Sequence, residues 1–329
     1  MAEDTLEAAR PAEAAPDWER TKRFAAKLHR SVARVVVGKD DAVRLALTAL
    51  LAGGHLLIED VPGVGKTLLA RAIARSLDVQ LRRIQFTPDL LPADVTGSNV
   101  FNQRDGTFEF RAGPVFADIV LADEINRATP RTQSALLECM EERQVTVDGQ
   151  THPIEPPFFV IGTENSIEQH GTFPLPEAQL DRFALCMRIG YPGAEDEARI
   201  LEEQQRRHPL DRVEPVGAAA DLIAAQDAVR EVFVEPTIRR YIVALSEATR
   251  AHRDVLLGAS PRASLTLLRC AQASALLAGE TFVAPQHVQA VAHGVLDHRV
   301  IVRPKARLTG VSAARVVDQV VQNVQVPVS

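Results

Sequence analysis

The chain of 329 residues has no apolar run of the ~18 residues that a membrane-spanning helix requires. Its longest uncharged stretch, Leu45 to Ile58, holds 14 residues and is broken by Gly53, Gly54 and His55. It reads as a helix end followed by a buried strand, and argues against direct membrane insertion. The first twenty residues lack an apolar core and do not read as a secretory leader. Cysteine is scarce. Cys139, Cys186 and Cys270 lie far apart with no CxxC pair, which fits small core residues of a reduced cytoplasmic protein. His152, His170, His208, His252, His287, His293 and His298 show no HExxH or other metal spacing, and no GxSxG or Cys/His pair suggests nucleophilic catalysis. A basic surplus is missing too: net charge is −6, which argues against a dedicated nucleic-acid binder. Lysine is rare. There are five, and Lys66 stands alone between Lys39 and Lys305.

What is present is ordinary globular composition, 46% hydrophobic and 24% charged, in a chain long enough for two domains. Residues 1–16, rich in Ala, Glu and Pro, read as a flexible acidic tail. Asp17 can cap a helix carrying Phe24, Leu28, Val32 and Val35, and a second helix follows from about Asp40. From His55 to about Pro192 short apolar runs alternate with helical segments: His55–Glu59, Leu81–Phe86, Ile119–Ala122, Phe158–Gly162 and Leu185–Ile189. This predicts an α/β core built on a parallel sheet. Asp105-Gly106 and Asp148-Gly149, each between alternating residues, predict two hairpins. After Pro192 the strands stop. Ala194–Arg207, Ala218–Val232, Pro236–Ala251, Pro261–Ala278 and Pro285–Leu296 read as helices, three of them with proline in the first turn. The boundaries expected are a core over 17–192, an all-helical domain over 193–303, and a C-terminal tail over 304–329 with a helix near Val311–Val324.

The chemistry gathers in the first domain. His55–Glu59 is followed by Asp60-Val61-Pro62-Gly63-Val64-Gly65-Lys66-Thr67 and then by the helical Leu68–Leu77. Strand, glycine loop, Lys-Thr and helix form a phosphate-binding loop, with ATP held across Asp60 to Leu68. Backbone N–H groups close on phosphate oxygens and the helix N-terminus adds partial positive charge. Lys66 reaches the β- and γ-phosphates, and the Thr67 hydroxyl ligates Mg²⁺. Asp60 replaces the usual first glycine. Facing a triphosphate its carboxylate would repel, so it is expected to point away and bond to backbone. Replacing it with glycine should then leave ATP binding unchanged or slightly stronger.

An apolar strand ending in Asp123-Glu124 delivers two carboxylates to a carboxyl edge, where open α/β sheets bind ligands. Asp123 would hold Mg²⁺, directly or through water, and Glu124 would act as general base. A third strand ends at Asn165, which can hydrogen-bond the attacking water or the γ-phosphate; an ordinary turn asparagine is the plain alternative.

With these residues in place the chain resembles AAA+ ATPases of the MoxR family. The resemblance runs from about residue 20 to 303. It is carried by Gln85-Phe86-Thr87-Pro88-Asp89-Leu90-Leu91-Pro92, by Asp123-Glu124-Ile125-Asn126-Arg127-Ala128, by Gln133–Val147 and by Gly171–Phe183. It implies an αβα nucleotide-binding core followed by a helical lid, with Val37 and Gly38 near the adenine and Asn165 as sensor 1. Arg182 would be an arginine finger acting on a neighbouring subunit's ATP. Arg262 would be sensor 2, reaching the γ-phosphate from the lid. An intrachain salt bridge is the plain alternative for either, and Arg127 is a further candidate for an inter-subunit contact. The two hairpins would be the inserts such ATPases use on substrates. Partners implied are copies of the chain itself in a ring, six by family expectation, and a protein client, including proteins with a von Willebrand factor A domain. Two other functions stay open: a motor on nucleic acid, and a nucleotide-gated binding module with little turnover. Glu164 and Ser166, flanking Asn165, depart from the family's more common Gln and Pro.

Overall fold

The apolar runs pair into one parallel sheet. The computed structural model describes residues 16–165, 171–205 and 208–327. The acidic segment lies outside them except for Pro16, as do Ser166, His170 and Arg207. In chain order the first elements are α1 (Trp18–Ala33), α2 (Asp40–Leu51), β1 (Leu56–Glu59), α3 (Lys66–Leu77), β2 (Leu81–Gln85) and α4 (Pro92–Thr96). The hairpin β3 (Gly97–Asn102) and β4 (Thr107–Ala112) follows, then β5 (Ile119–Asp123) and α5 (Pro130–Glu142). A second hairpin, β6 (Gln144–Val147) and β7 (Gln150–Pro153), leads to β8 (Phe159–Glu164), α6 (Glu177–Leu180) and β9 (Leu185–Met187). Asp17 caps α1 as expected, its carboxylate accepting the Arg20 amide at 3.0 Å.

Strand order in the sheet is β2-β5-β8-β1-β9, every pair parallel. Successive residues of a strand face opposite sides, so the apolar runs must be covered twice. Leu56, Ile58, Leu121 and Ile161 pack under α1, α2, α3 and the C-terminal helices. Leu57, Val120, Ala122 and Val160 pack against Leu136, Leu137 and Met140 of α5. Because the strands are parallel, Glu59, Gln85, Asp123 and Glu164 all end at one edge; Glu59 is level with Glu164 and Gln85 with Asp123.

The lid consists of α7 (Ala194–Gln204), α8 (Ala219–Glu231), α9 (Pro236–Ala251), α10 (Pro261–Leu277) and α11 (Pro285–Leu296), followed by α12 (Pro304–Leu308) and α13 (Ala313–Asn323). Two expectations need correction. The second domain is not all helix: Val255–Leu257 and Ile301–Val302 pair as a short antiparallel ribbon, too brief to leave an alternating pattern. Nor is the segment from 304 a tail. Val316, Val317 and Val320 of α13 are buried, and Asp318 lies 3.1 Å from the His293 ring. The N-terminal helices also join the lid: Gln226 donates to the Leu50 carbonyl at 2.7 Å and Arg20 pairs with Asp221 at 2.7 Å.

Candidate nucleotide site

β1 leaves the sheet at Glu59, and the chain turns back through residues 60–65 to enter α3. Gly65 is the pivot, with φ +97°. Nothing lies within 4 Å of where a Cβ would stand, so the left-handed backbone and not crowding requires glycine there. No side chain caps α3, which leaves its first amide donors for an anion. Among the described residues the Thr67 hydroxyl makes no hydrogen bond within the chain. The Lys66 ammonium donates to the carbonyl of Asp60 and, at 2.8 Å, to that of Glu164. Burial lowers its pKa from the usual lysine value, while Asp60, Asp123, Glu124 and Glu164 pull the other way. A half-buried cation held by two neutral carbonyls among four carboxylates is ready to exchange them for phosphate oxygens.

Asp60 points away from the loop's mouth, as expected. One carboxylate oxygen accepts the Val61 amide at 2.8 Å; the other accepts Ile189 at 2.7 Å and Gly190 at 2.6 Å. Burial acts to raise its pKa, but these three donors and Lys66 outweigh it and hold the carboxyl below its ordinary value. Asp60 is thus a strut between the phosphate loop and the end of β9.

Asp123 is 13% exposed at the end of β5. Its Oδ1 accepts the Thr163 hydroxyl at 2.6 Å, and its Oδ2 accepts Arg83 at 2.6 and 3.1 Å. The Thr163 oxygen in turn accepts the Glu124 amide at 2.9 Å. One hydroxyl therefore sets both acidic residues, and φ of +57° at Glu124 turns its side chain out of the strand. The Glu124 carboxylate pairs with Arg127 at 2.8 Å. Arg127, a candidate for an inter-subunit contact, is engaged in its own chain. Asn165 is buried directly after β8. Beside it burial pushes the Glu164 carboxyl up to about 7, with Glu59 adding to the rise and Lys66 opposing it.

Next to the loop a cavity of about 160 Å³ is lined by Val35, Val37, Val64, Leu68, Pro192 and Ile200. These apolar side chains suit the faces of a flat heterocycle, and Lys39, Glu203 and Gln204 add polar groups to the same lining. Val37 lies in it and Gly38 lines the adjoining cleft. Thr67 and Asp123 supply hard oxygen donors, the kind Mg²⁺ takes beside phosphate oxygens. The uncapped helix, the unused hydroxyl and the exchangeable lysine all fit Mg-ATP.

The two remaining arginines are elsewhere. Arg182 Nε and Arg262 Nη1 each lie 2.9 Å from the carboxylate of Glu141. Glu141 sits in the last turn of α5, beside Met140, whose carbonyl pairs with the His55 ring at 3.1 Å. His55 enters β1, whereas Asp60 leaves it. At ~3.3 Å per residue the two edges are about 16 Å apart. The structure brings Asp60, Lys66, Thr67, Asp123, Glu124 and Asn165 together at the carboxyl edge. It sets Arg182 and Arg262 together at the opposite edge, and it does not bring Arg262 to the phosphate loop of its own chain. Both make the intrachain salt bridge that was their plain alternative. Arg83, Glu141 and Thr163 had no distinguishing signal in the sequence.

Residues 55–185 match the ATPase family associated with various cellular activities (AAA), and residues 247–320 match the AAA lid domain. YeaC of Bacillus subtilis is 50% identical over 90% of this chain and 92% of its own length. The chaperone MoxR1 of Mycobacterium tuberculosis is 40% identical over 90% of this chain and 80% of its own. The chain belongs to the MoxR family of AAA+ ATPases. A crystal structure from Cytophaga hutchinsonii superposes with a TM-score of 0.87 at 36% identity, covering 94% of this chain and 98% of that one. The matched AAA segment falls within the αβα core described above and the matched lid segment within the helices that follow it. No described helix of this MoxR-family chain is long and apolar enough to cross a membrane.

Proposed function

We propose that the chain is a Mg-ATP-dependent ATPase that assembles with its own copies into a ring of six, and couples cleavage of the β–γ phosphoanhydride bond to remodelling or maturation of a protein partner in the cytoplasm. Lys66 moves from the Asp60 and Glu164 carbonyls onto the β- and γ-phosphates. Thr67 and Asp123 hold Mg²⁺, which when bound neutralises charge on the phosphates. Glu124 takes a proton from the attacking water and Asn165 orients that water. Arg182 and Arg262 come from the neighbouring copy and offset charge in the transition state.

One observation carries the assembly: the phosphate loop and the Arg182–Arg262 pair lie at opposite edges of the sheet, so one copy cannot complete its own site. Mixing two inactive variants tests it. Lys66→Ala lacks the loop lysine but retains Arg182, and Arg182→Ala the reverse. In a closed ring with random exchange about a quarter of interfaces would be intact. Phosphate release should return on mixing; subunit exchange without recovery would overturn the reading.

The client reading is supported by the relative named a chaperone and by the first hairpin. Phe101 and Phe108 face each other across β3 and β4, ring centroids 5.2 Å apart, and are 51% and 71% exposed. An exposed aromatic pair suits contact with another protein, and a von Willebrand factor A domain is the partner class proposed. Crosslinking from Phe101 in its own cell would identify the client.

A further inference from the structure

Arg299 closes a short helical turn at the end of α11, and its side chain is 3% exposed. Its Nε donates to the Asp181 carboxylate at 2.6 Å. One terminal nitrogen donates to the carbonyls of Val295 at 2.5 Å and Ala184 at 3.2 Å. The other donates to the carbonyls of Asp181 at 3.1 Å and Phe183 at 2.7 Å. All five N–H groups of the guanidinium are used. Burial lowers its pKa, and Asp181 acts against that fall. A buried charge is tolerated only when fully paired and hydrogen-bonded, and this one is.

Four of the five contacts fall on residues 181–184, on both sides of Arg182. The neighbouring His298 ring adds a contact to the Phe183 carbonyl at 3.2 Å. Carbonyl directions fix peptide planes. Planes fixed before and after one residue fix the direction of its Cα–Cβ bond. Outside these contacts the segment is a single turn, closed by the Arg182 amide on Gln179 at 3.2 Å and the Phe183 amide on Leu180 at 3.0 Å, and joined to the core by the Ala184 amide on the His55 carbonyl at 2.8 Å. On its inner side Phe183 lies over Gly162 of β8, where a Cβ would come within 3.0 Å of the ring. The Arg182 turn is thus clamped between β8 and the lid, and most of the lid's hold comes from one guanidinium, with the His298 ring on the Phe183 carbonyl and Arg262 Nε 4.0 Å from Asp181 beside it.

We propose that Arg299 is the positioning residue for Arg182: from the lid it sets the geometry in which Arg182 is presented to a neighbouring copy's nucleotide. The proposal rests on the reading of Arg182 as acting in trans. Arg299 touches no nucleotide itself.

The test uses the mixture of Lys66→Ala and Arg182→Ala chains, with Arg299→Lys added to one partner at a time. Lysine keeps the charge opposite Asp181 but cannot bracket the turn. In the Lys66→Ala chain, which supplies Arg182 to the composite site, Arg299→Lys should cut recovered phosphate release by about ten-fold or more, since a 1 Å misplacement costs about 10²-fold. In the Arg182→Ala chain, which supplies Lys66 and has no finger to place, it should leave recovery within about two-fold. A purely structural role would lower both equally, and equal losses would overturn the proposal, as would no loss in the first. A parent mixture that never recovers would instead bring down the trans reading of Arg182 itself. Melting curves and ring size of each chain are read alongside. Should Arg299→Lys melt before assembly, Asp181→Asn weakens the same hold while sparing the carbonyl contacts; because Asp181 also lies 4.0 Å from Arg262 Nε, Arg262→Lys in the same chain serves as the reference for that part. It should show the same asymmetry at about three-fold, and symmetry there would count equally against the proposal.

Discussion

Arg127 donates to the carboxylate of Glu124 at 2.8 Å, so the residue proposed to activate water is ion-paired within its own chain. Two variants separate base from partner. Glu124→Gln should keep ATP binding, because Lys66, Thr67 and Asp123 remain, and should lower turnover by about 10²–10⁴. Arg127→Ala leaves the proposed base in place and removes its partner. Its loss should stay within about ten-fold, far short of the 10³–10⁵ associated with a finger. Steady-state phosphate release measures both. A loss in Arg127→Ala as deep as that of Arg182→Ala would move the finger role to Arg127.

Asp60 gives a prediction that structure reverses. A carboxylate facing away from phosphate looks dispensable, and glycine is the residue usually found there. Yet Asp60 accepts amides from Val61, Ile189 and Gly190. Asp60→Gly leaves donors at the end of β9 without an acceptor, at about 1–3 kcal/mol each where buried. ATP binding should weaken by about ten-fold or more with a lower melting temperature, and Asp60→Asn, which keeps one acceptor oxygen, should fall between. Calorimetric titration decides it; unchanged affinity in the glycine variant would mean that the loop holds its shape without the strut.

The contrast between Lys66 and Asp60 shows what the sequence could carry. Gly63-Val64-Gly65-Lys66-Thr67 is a local pattern, legible because its geometry is made by consecutive residues. Two of the three amide partners of Asp60, Ile189 and Gly190, are 129 and 130 positions on, and no spacing announces them. The same holds for Glu141, flanked by Glu138 and Glu142, and for Arg299, one of 32 arginines, whose role appears only when residues 181–184 fold against it. The sheet was legible because its inner strands β1, β5 and β8 are apolar runs buried on two faces, whereas β2 at the edge buries only Ile84. The ribbon at Val255–Leu257 was not, being too short for any periodicity.

Folding should weaken below neutral pH through His55. Its ring is buried, accepting the Val160 amide at 3.0 Å and donating to the Met140 carbonyl at 3.1 Å, which requires the neutral form. Burial is the main reason its pKa is pushed down from 6.5 to about 4. Between those values the unfolded chain binds the extra proton and the folded chain does not, so stability is full above 6.5 and falls as pH drops. The slope is about 1.4 kcal/mol per pH unit, or about 2 kcal/mol from 6.5 to 5. Urea denaturation at both pH values, against His55→Gln, isolates this part. An equal fall in the variant would assign the pH dependence to other groups.

Glu141 supplies the last prediction. Its one carboxylate accepts both Arg182 and Arg262 at 2.9 Å, and the three side chains are 34%, 28% and 47% exposed. Pairs this open contribute about 0–1 kcal/mol each, so Glu141→Gln should barely change the stability of the isolated chain. Its effect should appear on assembly. If Arg182 and Arg262 must leave Glu141 to reach a neighbour's phosphates, the carboxylate competes with the nucleotide for the same N–H donors. The neutral amide competes less, while keeping the volume and one acceptor oxygen. ATP-dependent association should then occur at a protein concentration lower by up to about ten-fold, which is about 1.4 kcal/mol at one interface. Added salt should narrow the difference, because a charge competition at a half-open site is screened. Sedimentation velocity with ATP and the Glu124→Gln background, which removes turnover from both samples, measures it. Association that weakens in Glu141→Gln would show the opposite role: a carboxylate that aims the two arginines and is needed throughout.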